Sequence, residues 1–256
     1  MTYAVGFLNV LLGLAYTTYG FITLSDMKRG WRSMGFSHFG AAWVAMAFTC
    51  GPHHLVHGTH LLLEGRAGGP LDLAAVLVGL PAGATFLYLR VEAWMGGRGD
   101  RFIAGSPLWV QSLPTLGGVY LTALAFGVTT AGLTGLVPRE VIPNLMLVVL
   151  YFTIGYFVLR TQLRNRTLLN GWSVSGLALG IVFPTCGLMH GIYAYYASTG
   201  VYHDIDFHGW VVDALAVPAA IYFLWVVVGL YRLTLRDWNR EMMDAVPDRG
   251  AAVVAW

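Results

Sequence analysis

The chain has 256 residues, of which 57% are hydrophobic and only 11% charged, with a formal net charge of +2. Its mean hydropathy is +0.63, which is not the composition of a soluble globular domain. The small net charge and the lack of a P-loop or dinucleotide fingerprint exclude an obvious nucleic-acid or nucleotide partner, and two cysteines exclude a disulfide framework.

Apolar runs of about 20 residues read as membrane helices. The hydropathy pattern predicts seven spans, at about 3–23, 38–63, 71–89, 113–136, 141–159, 172–197 and 210–231. The first begins close to Met1 without a basic segment or a cleavage pattern, so it is read as a retained span. Residues 1–231 form the transmembrane domain in this reading. The tail 232–256 is cytoplasmic and reads as amphipathic over 232–245, mixing Leu, Trp and Met with alternating charges.

With seven spans, thirteen of the fifteen Lys and Arg fall on one side. The positive-inside rule then puts the N-terminus outside and the C-terminus in the cytoplasm of an inner (plasma) membrane. Trp31, Trp94, Trp109, Trp172 and Trp210 lie near span ends, as an interfacial belt does. The only lysine is Lys28, in a loop, which excludes a retinal Schiff base.

The second span carries the chemistry. Four of the eight histidines, His53, His54, His57 and His60, lie within eight residues. At 100° per residue, Cys50, His53, His57, His60 and Glu64 share one helix face about 80° wide, and His54 points elsewhere. Ionisable groups inside a bilayer are costly and face a bundle interior, a partner or a cavity.

The sixth span contains Thr185-Cys186-Gly187-Leu188-Met189-His190, which aligns with Thr49-Cys50-Gly51-Pro52-His53-His54. Asp72 and Pro81 in the third span resemble Asp213 and Pro218 in the seventh. The expected architecture is therefore all-α, with a parallel three-one-three pseudo-repeat: halves at about 1–95 and 141–231, and a connector helix at 113–136. Sites in such repeats lie near the interface of the halves.

Thiolate and imidazole ligands suit copper, zinc or iron. The candidate metal ligands are Cys50, His53, His54, His57, His60, Glu64, Cys186, Met189 and His190, with a Cys2His2 set from Cys50, His54, Cys186 and His190 as the symmetric choice. His54 and His190 are also the candidate axial ligands of a haem. Asp72, Tyr193 and Asp213 are placed as supporting groups, and the loop residues His203, Asp204, Asp206 and His208 as an access route on the outer face. The expected function is binding of a transition metal or haem with a redox, metal-handling or sensing role. The alternatives are a proton or small-solute carrier, and a metal-dependent enzyme acting on a lipid or quinone. Lipid is the expected surrounding, with other membrane subunits or a second copy as further partners.

Overall fold

The computed structural model describes residues 1–65, 69–103, 138–166, 171–199 and 207–235, together with isolated positions between 108 and 126. Six long helices account for nearly all of them: α1 (Thr2–Met34), α2 (His38–Glu64), α3 (Pro70–Trp94), α4 (Ile142–Asn165), α5 (Val174–Ser198) and α6 (Phe207–Leu235).

This corrects the seven-span expectation. Among the described residues there are six helices, and five of them, all except α2, are long and apolar enough to cross a membrane. The expected fourth span, 113–136, contributes only isolated helical positions such as Leu116, Val119 and Phe126, and the rest of it lies outside the described residues. Hydropathy reports the cost of transfer into lipid, and α2, with its histidines, falls below the level of the other five helices. The three-one-three layout and the assignment of sides rested on seven spans, so both fall with the count. The tail from residue 236 onward lies outside the described residues.

The helices outrun the apolar segments that identified them. α1 continues through Lys28, Arg29 and Arg32 to Met34, because arginine and lysine are good helix formers and the backbone ladder does not stop at the end of an apolar run. α2 is long enough to span a bilayer, and five histidines and Glu64 lower its hydropathy.

The six helices close into a ring. α1 packs on α2 and α3, α2 on α6, α6 on α4, α4 on α5, and α5 on α3. α2 and α5 face each other across the middle and meet through side chains. Apolar residues such as Phe7, Phe21, Val78, Leu215 and Trp225 are exposed on the outside of the ring. In a chain of this composition that surface meets lipid acyl chains.

Small residues bring α1 and α2 together. A Cβ on Gly58 would lie 2.6 Å from the Gly6 carbonyl, and one on Gly13 would lie 2.8 Å from the Gly51 carbonyl. Such close approach of backbones is how helices associate where lipid supplies no hydrophobic drive. It sets the depth of α2 against α1, and so the place of every histidine on α2.

A short antiparallel pairing, Phe102–Ile103 with Trp172–Ser173, joins the end of α3 to the start of α5. Asp100 caps α5 there, accepting hydrogen bonds from Ser175 N at 2.9 Å and Ser173 Oγ at 2.6 Å. Further into the ring, an aromatic layer centres on Trp43, with Phe86, Phe223 and Phe183 at 5.3, 5.4 and 5.9 Å. Trp43 precedes His53 by ten residues on α2, about 15 Å along the axis.

Gly58→Leu is expected to cost roughly 1–3 kcal/mol by overpacking the α1–α2 contact. Gly229→Leu, whose Cβ meets nothing within 4 Å, leaves stability unchanged. Thermal unfolding in detergent reads both.

Candidate metal centre

Three side chains from three helices meet in the ring: His53 of α2, His190 of α5 and Asp213 of α6. One ligand atom from each lies within 4.8 Å of the others, and all three residues are buried. Asp213 Oδ1 is 2.6 Å from His53 Nδ1 and 3.7 Å from His190 Nδ1. The two imidazole rings are 4.5 Å apart.

Asn144 of α4 ties the group together. Its amide nitrogen donates to Asp213 Oδ2 at 2.7 Å, and its Oδ1 lies 2.7 Å from His190 Nδ1. An amide oxygen only accepts, so His190 carries its proton on Nδ1 and keeps a lone pair on Nε2. Holding one ring nitrogen so that the other is free for a metal is the usual second contact of a ligating histidine.

Asp213 is 1% exposed, and its Oδ1 pairs with His53 Nδ1 at 2.6 Å. A buried carboxylate is expensive unless something positive meets its charge. A protonated His53 or a cation held between the rings meets it, so the donor set fits a metal ion.

A second chain of contacts lies beside the first. His54 Nδ1 is 2.9 Å from Asn9 Oδ1, and the Asn9 amide nitrogen donates to the Val5 carbonyl. By the same logic His54 is protonated on Nδ1 and turns its Nε2 lone pair to Cys186 Sγ, 3.9 Å away. Cys186 Sγ is 3.3 Å from Tyr16 OH, and Cys50 Sγ is 3.0 Å from Tyr151 OH.

Of the residues singled out in the sequence, Cys50, His53, His54, Cys186, His190 and Asp213 come together in the interior. The Cys2His2 set does not form one cluster among the described residues, because His190 turns to Asn144 and Asp213 while His54 turns to Asn9 and Cys186. His54, read as pointing away from the stripe, is 2% exposed, because the ring interior accepts a wider arc of α2 than one stripe.

His57 follows toward the Glu64 end, its ring stacked on His53 at 6.3 Å and edge-on to Tyr193 at 6.2 Å. His57 and His60 are half-buried and Glu64 is exposed, so the stripe is graded from the interior to the helix end. Met189 is buried, about 100° around α5 from His190. Asp72 caps α3, accepting from Gly69 N at 2.9 Å. His203, Asp204 and Asp206 lie outside the described residues, as does the side chain of His208. The haem reading gains no support, because His54 and His190 turn to different partners, Asn9 and Asn144. The cavity beside the two cysteines is about 20 Å³, room for about one water-sized group.

Asn9, Asn144, Tyr16 and Tyr151 are absent from the sequence-derived set. A signal was present: 135 residues separate Asn9 from Asn144 and Tyr16 from Tyr151, against 136 for Cys50 and Cys186 and for His54 and His190.

No known protein family matches the chain, and neither a curated protein nor a solved structure is similar to it. The chemistry therefore rests on the geometry alone.

Asn144→Leu is expected to release the His190 ring. Imidazole ¹⁵N shifts should report the Nδ1–H tautomer in the wild type and a mixture of tautomers in the variant.

Proposed function

We propose that this chain is a membrane-embedded metal-handling protein that holds a divalent transition ion between His53, His190 and Asp213. The observation that carries this reading is the buried convergence of two imidazoles and a carboxylate from three helices, one ligand atom of each within 4.8 Å of the others. Two histidines and one carboxylate suit zinc or ferrous iron, and three protein ligands leave coordination positions open, unlike a closed structural site. An ion held so would supply Lewis-acid or redox chemistry at those positions. His57, His60 and Glu64 form the approach from the Glu64 end of α2.

A second reading is supported by the stacked His53 and His57 rings, which suit proton transfer along the same stripe. The aromatic layer around Trp43 stands across any continuation of that path through the ring, and this favours the metal.

Protein purified in detergent without chelators is expected to carry zinc or iron by elemental analysis. His53→Ala, His190→Ala and Asp213→Asn should lose the ion, and His38→Ala, at the far end of α2 against Tyr222, should keep it. Asn144→Ala should weaken binding about 10–100-fold. Folded wild-type protein that takes up no ion from added salts overturns the proposal, and chelator-insensitive proton flux in proteoliposomes would favour the second reading.

A further inference from the structure

We infer that the two cysteines form a separate binding site for a soft monovalent ion, copper(I), independent of the His53–His190–Asp213 centre. Cys50 and Cys186 are the only cysteines of the chain, both are buried free thiols, and they lie on helices that face each other across the ring. Both line the same small cavity inside the ring. Packing alone gives the two cysteines of the chain no reason to share one cavity.

The surroundings match the chemistry. The cavity of about 20 Å³ is lined by Cys50, Cys186 and Met46, with Tyr16, Tyr19 and Trp43 among its walls and no carboxylate. Two thiols and a thioether are soft donors that select copper(I), and the space holds one ion. Nothing in the lining offers the hard oxygens that magnesium or calcium need.

Each sulfur also has a phenol at hydrogen-bond distance, Tyr151 for Cys50 and Tyr16 for Cys186. A phenol that donates to sulfur stabilises the thiolate, which is the form that binds metal.

Charge favours a monovalent ion. When copper(I) enters, one S–H bond breaks, one S–Cu bond forms, and a proton leaves. A thiolate with a monovalent cation is a neutral pair, so the sulfur site gains no net charge in a medium where charge is costly. His54 Nε2, with its lone pair 3.9 Å from Cys186 Sγ, is a relay for that proton, which has to leave the cluster for the pair to stay neutral. No change in oxidation state is involved.

The test uses the full chain in detergent under anaerobic conditions. Copper(I) is supplied against the chromogenic competitor bicinchoninate, with silver(I) as a redox-silent substitute. The wild type is expected to withhold one ion per chain from the competitor, with a sulfur-dominated copper environment by X-ray absorption. Cys50→Ser and Cys186→Ser should each lose it, while His53→Ala and Asp213→Asn retain it, which separates this site from the other centre. Because a serine variant can misfold, the wild type gives a second readout: its ultraviolet thiolate-to-copper(I) charge-transfer absorption should rise to one equivalent of copper(I) and then level off. No retention by the wild type, retention unchanged in both serine variants, or a Cys50–Cys186 disulfide in the isolated protein would each overturn the assignment.

Discussion

A buried carboxylate held between two imidazoles inside a ring of apolar helices is the constraint on which this architecture turns. In water Asp213 would be an ordinary anion. In the bundle its charge has to be met by something positive, and every group around it bears on that need. Asn144 donates to one oxygen, and His53 and His190 flank the other. Of the helices that supply Asn144, His190 and Asp213, α5 and α6 each pack on α4, so displacing either one disturbs the same buried charge.

The arrangement also gives the histidines of α2, the one long helix among the described residues below the hydropathy of a membrane span, a place inside the ring. These histidines would be costly facing lipid. The ring turns them inward, where each buried one has a partner: Asp213 for His53 and Asn9 for His54. The glycine contacts with α1 matter for this reason as well as for stability. They let α2 sit close enough for Asn9 to reach His54. The same device recurs on the other side, where Asn144 of α4 reaches His190 of α5. In both places an amide, which cannot titrate, fixes the protonated nitrogen of a neighbouring ring.

The sequence made the histidine face of α2 legible, because helical periodicity places Cys50, His53 and His57 on one side whatever the tertiary structure. It also pointed to Cys186, His190 and Asp213, through a short motif shared by two spans. The count of spans was not legible: among the described residues six helices stand where seven spans were expected, and the histidines of α2 take it below the hydropathy of a membrane span. Asn9 and Asn144 escaped notice because one amide barely lowers the hydropathy of a long apolar window. Tyr16 and Tyr151 passed as packing aromatics. The division of ligands between two neighbouring clusters was beyond periodicity, because it depends on which amide each imidazole reaches, and that is decided by helix packing.

The aromatic layer around Trp43 lies on one side of His53 along α2, and the half-buried His57 and His60 lie on the other. An ion held at the proposed centre would then fill and empty from the Glu64 end alone. In a bilayer it would cross only part of the electric field. Transmembrane voltage would tilt how often the centre is filled and would drive no net passage from one face to the other.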